Sequence, residues 1–143
     1  MKNSHAKHER SKRLLQGGSA ALLTSAGLRP TRPRLALADW LFRKPNKHVT
    51  AEQAHAAMTK AGVSLSLATV YNTLNLLAGA GLLRQICVDG KQVLFDTNRD
   101  PHHYMYNEAS GRLTDIPPLR LVAPPRPPRG MKITDVEIVI RVR

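Results

Sequence analysis

Ser66-Leu-Ala-Thr-Val-Tyr-Asn-Thr-Leu-Asn-Leu-Leu-Ala-Gly-Ala-Gly81 is the stretch whose reading decides the fold. Ser66 supplies the short side-chain oxygen of a helix cap and Gly81 the backbone freedom of a helix stop, so a helix is predicted over Leu67–Ala80. Within it Leu67, Val70, Leu74 and Leu77 recur at the 3.6-residue period, and that side is expected to face a core. The opposite side has Ala68, Asn72 and Asn75, flanked by Thr69 and Tyr71, and almost no charge. An ordinary solvated face would display Lys and Glu. Compact donors and acceptors with methyl groups beside them are what base-pair edges require.

Working outward, three helices are predicted upstream. Ser19 to Ala26 is short, apolar and stopped by Gly27. Thr31 can cap a second, with Pro33 in the first turn, where a missing N–H costs little, and a buried stripe of Leu35, Ala38, Trp40, Leu41 and Phe42. Thr50 and Gln53 have capping-box spacing; Ala54, Ala57, Met58 and Ala61 follow at helical intervals until Gly62. Downstream, Leu82–Val88 and Lys91–Asp96 flank Asp89-Gly90, the signal of a two-residue hairpin turn with φ > 0 at both positions. Three helices and a hairpin make a winged helix, whose third core helix enters the major groove. The Ser19–Ala26 segment is then an extra helix in front of it.

The remainder reads differently. Two short strands, His102–Asn107 and Arg112–Ile116, surround a Ser110-Gly111 turn, and six prolines between Pro117 and Pro128 forbid regular structure there. Met131 to Arg143 alternates, with Val136, Ile138, Ile140 and Val142 on one face. Three short strands are too few to stand alone, so a homodimer is expected. The expected class is α+β: a basic arm over 1–18, a winged-helix DNA-binding domain over 19–97, and a small α/β-type dimerisation and sensing domain over 98–143, dominated by a short antiparallel sheet.

Charge narrows the partner. With 22 Lys+Arg against 10 Asp+Glu, +12 overall, the chain attracts polyanions, nucleic acid first and an anionic membrane surface second. No stretch approaches the roughly 20 apolar residues of a membrane span. Met1 to Arg13 is charged with no apolar run behind it, unlike a secretory signal. A single cysteine, Cys87, excludes an internal disulfide and a zinc site of paired cysteines, and is read as a small packed or half-exposed residue. A cytoplasmic protein without a membrane partner is expected. Nothing offers a nucleophile–base pair or a phosphate-cradling glycine loop, so no enzyme is predicted. Two other classes stay open: a haem- or metal-binding storage or delivery protein, which leaves the uncharged helix face without purpose, and a basic RNA-binding protein, which predicts binding without duplex sequence preference.

Three segments together resemble the ferric uptake regulator family in order and spacing: Ala26-Gly-Leu-Arg-Pro-Thr-Arg-Pro-Arg34, His48-Val-Thr-Ala-Glu52 and Leu67-Ala-Thr-Val-Tyr-Asn-Thr-Leu74. The resemblance runs over roughly residues 20–143. The Tyr71-Asn72-Thr73-Leu74 form of the helix, the histidines near residue 102, and the ending from Gly130-Met131 through Val136 to Arg143 resemble its iron response regulator branch. The resemblance implies a transcriptional regulator, a dimer on AT-rich palindromic double-stranded DNA operators of iron and haem genes, responding to iron or haem status. Repression, activation or both stay open. It implies base contacts from Tyr71 and Asn72, phosphate contacts from Ser66 and Thr69, and a minor-groove contact from Arg29.

For sensing, the resemblance implies an interdomain metal site of His48, Asp96 and Asp115, whose N/O donors suit Fe2+, Mn2+ or Zn2+. His102 and His103 are further candidates for a divalent metal or haem; Asp100 and Glu108 stand nearby. His5, His8 and His55 are expected to have no ligand role. Asn107-Glu-Ala-Ser110 stands where relatives have Cys-x-x-Cys, implying no structural zinc held by four cysteines. The histidine run is Pro101-His102-His103-Tyr104, where the branch has three consecutive histidines, and Val136 or a neighbour replaces a further ligand histidine. Tyr104 itself can ligate ferric haem.

Overall fold

A computed structural model describes residues 18–143. The basic arm, with His5 and His8, lies outside the described residues save for Gly18. The chain forms two compact units that divide between Asp100 and Pro101.

The first unit contains α1 (Gly18–Ser25), α2 (Arg32–Phe42), α3 (Ala51–Lys60) and α4 (Leu67–Gly79), with β1 (His48–Val49), β2 (Arg84–Cys87) and β3 (Val93–Asp96). The three strands form an antiparallel sheet in the order β1-β3-β2. α3 starts at the predicted capping box: the Gln53 N–H donates to Thr50 Oγ1 (3.1 Å) and the Thr50 N–H to Gln53 Oε1 (3.0 Å). At α4, the Thr69 N–H donates to Ser66 Oγ at 3.1 Å. Thr31 occupies the N-cap of α2, but its side chain caps nothing, because Pro33 in the first turn removes a donor it would serve. Gly81, at φ 77°, turns the chain so that the Leu82 N–H reaches the Leu77 carbonyl at 2.9 Å.

The aliphatic core lies where these elements converge. Leu23, Leu37, Leu41, Ala54, Val70, Leu74, Leu77 and Phe95 are all fully buried. Leu37 falls outside the stripe expected for α2, whose Leu35, Trp40 and Phe42 are only half-buried. Leu67 is a correction: it is 39% exposed. The stripe of α4 begins one turn later, at Val70, and continues through Thr73, Leu74 and Leu77 at i+3, i+4 and i+7, all buried. Thr73 is tolerated there because its hydroxyl donates to the Thr69 carbonyl at 2.8 Å.

The wing also departs from expectation. Cys87 pairs with Val93, so the loop covers residues 88–92 rather than two residues. Gly90 has φ 74° but Asp89 does not share the left-handed region. The Asp89 carboxylate instead accepts the N–H groups of Lys91 (2.9 Å) and Gln92 (3.1 Å), satisfying donors that a tighter turn would have paired across the strands. Cys87 is exposed. β1 has no counterpart in the sequence reading; two residues are too short to show an alternating pattern.

The second unit holds β4 (His103–Asn107), β5 (Arg112–Ile116) and β6 (Val139–Val142), in the order β5-β4-β6. β4 and β5 are antiparallel as expected, but β6 runs parallel to β4, with Tyr104 opposite Val139, so this sheet is mixed. A parallel return needs a long crossover. The proline-rich segment supplies it, which leaves only four residues of the expected final strand paired. Val136 and Ile140 are each 38% exposed.

Candidate functional site

The exposed side of α4 holds Ala68, Asn72 and Asn75, together with Leu67 and Leu76, and has no charged residue. Asn75 is engaged: its Oδ1 accepts from the Gln85 side-chain amide on β2. Asn72 is exposed and makes no side-chain hydrogen bond among the described residues. At the head of the helix the hydroxyls of Ser66 and Thr69 lie 2.8 Å apart. Their neighbouring backbone N–H groups carry the partial positive charge of a helix N-terminus, which favours anions. Arg29 is exposed, and its carbonyl accepts from Arg34 Nη1 at 2.9 Å.

Tyr71 sits at the edge of this face. Its ring is half-buried against the core, and its hydroxyl donates to Glu52 Oε1 at 3.2 Å. Desolvation, then the neighbouring Glu52 carboxylate, pushes the phenol above its ordinary pKa. Glu52 was missed by the sequence reading. In the first turn of α3 it reads simply as an acid that complements the helix dipole.

The candidate metal ligands form one pair in each unit. In the first, His48 on β1 and Asp96 on β3 are register partners, with His48 Nε2 3.5 Å from Asp96 Oδ2. The Asp96 side chain is wholly buried, and its Oδ1 accepts the Asn98 N–H at 2.7 Å. The second oxygen is thereby directed to His48. In the second unit His102 Nε2 lies 3.4 Å from Asp115 Oδ1, and the His102 ring meets Tyr104 edge-on at 4.8 Å. His103 stands apart from that pair. Its Nδ1 accepts the Ile138 N–H at 3.2 Å, which fixes the tautomer with the proton on Nε2.

The donor chemistry fits a divalent cation, since each pair combines an imidazole nitrogen with a carboxylate oxygen at a separation a small ion can bridge. Haem fits less well. His102 and His103 are only 6% and 7% exposed, which leaves little imidazole surface open to a porphyrin. Glu108 is taken up by Arg141 (3.7 Å) and Arg143 (3.3 Å). His55 is structural, with Nε2 2.9 Å from the Leu65 carbonyl.

Residues 25–140 match the model of the ferric uptake regulator family. The chain belongs to that family. It is thus one of a family of regulators, with the winged-helix and sheet units already described. Over 81 residues it is 36% identical to the ferric uptake regulation protein of Shigella flexneri, a match spanning 57% of this chain and only 55% of that protein. Against the corresponding protein of Pseudomonas aeruginosa the identity is 29% over 125 residues, spanning 85% and 93%. The solved structure of the Pseudomonas aeruginosa ferric uptake regulator with manganese superposes with a TM-score of 0.69 at 25% identity, covering 87% of this chain and 96% of that one. Among the described residues no helix is long and apolar enough to cross a membrane.

Proposed function

We propose that this protein is a metal-responsive transcriptional regulator of iron uptake genes. It acts in the cytoplasm as a homodimer that reads AT-rich palindromic operators with α4. The observation that supports this reading most directly is the uncharged, exposed side of α4, on which Asn72 has an amide free of partners among the described residues. Asn pairs with adenine through two hydrogen bonds in the major groove. Ser66 and Thr69 at the helix head then meet phosphate, Tyr71 meets a neighbouring base, and Arg29 enters the minor groove.

His48 with Asp96, and His102 with Asp115, are proposed as ligands for a regulatory divalent cation, Fe2+ in the cell with Mn2+ or Zn2+ as substitutes. Burial of the histidines favours a small cation over haem as the effector. The Tyr71-Asn72-Thr73-Leu74 sequence and the C-terminal strand support assignment to the iron response regulator branch. When bound, the cation would stabilise one arrangement of the reading helices by binding that arrangement more tightly.

Fluorescence anisotropy at physiological salt tests the core of this proposal. The full-length protein with Mn2+ should prefer an AT-rich palindromic duplex over a scrambled one by about 10^3-fold or more. Asn72→Ala should weaken palindrome binding by roughly 1–3 kcal/mol and leave the scrambled duplex unaffected. Equal affinity for both duplexes would sink the proposal.

A further inference from the structure

Glu52 touches the reading face without belonging to the helix that forms it. We propose that Glu52 is a specificity-determining residue: it orients the Tyr71 hydroxyl so that its oxygen meets the exocyclic amine of adenine or cytosine. This rests on the DNA-reading role of α4 proposed above.

The chemistry follows from what each group can do. An ionised carboxylate only accepts hydrogen bonds, whereas a phenol can donate one and accept two. The Tyr71 O–H is directed at Glu52 Oε1, at 3.2 Å, so its one hydrogen is committed. What remains on the oxygen are acceptor lone pairs. In the major groove such an acceptor matches the N6 amine of adenine or the N4 amine of cytosine, and it is mismatched against guanine O6 and N7 or thymine O4. A phenol with a free hydrogen would rotate it towards any acceptor and lose that discrimination.

Both partners are held. The Tyr71 ring packs on the core, and Glu52 sits two residues beyond Thr50, in the helical turn fixed by the capping box with Gln53. A phenol keeps its proton at neutral pH, and the shift above its ordinary pKa acts in the same direction. Charge adds a second effect. In a chain of net charge +12, phosphate attraction is indiscriminate. A carboxylate on the reading face repels phosphate but not base edges, so it penalises unspecific docking at that point.

The test is a base-substitution series on the palindromic duplex, read by anisotropy with full-length wild type and the variants E52Q, E52A, Y71F and N72A. Each variant's fold is checked by circular dichroism; both Glu52 and the Tyr71 hydroxyl are exposed enough for folded variants to be expected. Wild type should favour adenine or cytosine over guanine or thymine at one position by about threefold to tenfold, the scale of one net hydrogen bond. E52A and Y71F should flatten the preference at that position alone. E52Q, whose amide can donate as well as accept, should flatten it too, while raising affinity for scrambled DNA as E52A does. N72A should act at a different position. If E52A and E52Q keep the wild-type profile, or Y71F leaves it unchanged, the inference is overturned while an effect of N72A leaves the DNA-reading proposal standing. If no variant alters any position, the DNA-reading proposal itself fails.

Discussion

His48 Nε2 lies 3.5 Å from Asp96 Oδ2, across a strand pairing to which β1 contributes only His48 and Val49. That short pairing holds the imidazole beside the carboxylate. A wholly buried carboxylate beside an imidazole is costly unless the charge is compensated, and a bound cation compensates it more completely than the ring does.

Mn2+ should therefore stabilise the protein. At a free concentration near 100 times Kd, binding adds about 2.7 kcal/mol. Differential scanning calorimetry should show a rise in Tm that His48→Ala and Asp96→Asn abolish. A wild-type Tm indifferent to Mn2+ would contradict the assignment.

Thr50→Ala should destabilise the first unit by about 1 kcal/mol, because both halves of the capping box are present at the start of α3. Thr31→Ala should cost far less, since that side chain caps nothing. Urea titrations of the two variants make the comparison.

Leu74→Ala and Leu67→Ala give a sharper contrast. Leu74 is fully buried, and its truncation should cost roughly 2–5 kcal/mol. Leu67 is 39% exposed and should change stability by no more than about 1 kcal/mol. Similar values for the two would contradict the packing of α4 described above.

The wing loop should loosen in acid. Asp89 is held below the ordinary carboxylate range, first by the Lys91 N–H and then by that of Gln92. Because the folded value is the lower one, the contribution is complete above the ordinary carboxylate pKa and is lost as pH falls through the depressed value. The amide resonances of Lys91 and Gln92 should titrate in that acidic window, and Asp89→Asn should abolish their titration.

Periodicity, helix stops and capping chemistry located the four helices among the described residues, because each signal is local: Thr50 with Gln53, Ser66 with Thr69, Val70 with Leu74 and Leu77. The same locality made the β4–β5 hairpin legible through Ser110-Gly111. The uncharged face of α4 around Asn72, flanked by Thr69 and Tyr71, was legible for the same reason, whereas contacts of these residues and of Ser66 with DNA were implied only by the family resemblance. Only the tertiary structure decided the rest. That Leu67 lies outside the core, that β6 runs parallel to β4, and that β1 forms at all depend on partners distant in the chain, which no local pattern encodes. Glu52 beside Tyr71 and the pairings of His48 with Asp96 and His102 with Asp115 join residues 13 to 48 positions apart. A hydrogen bond or ion pair across such a distance leaves no periodic trace, since the chain between its ends is free to vary while the fold alone brings them together.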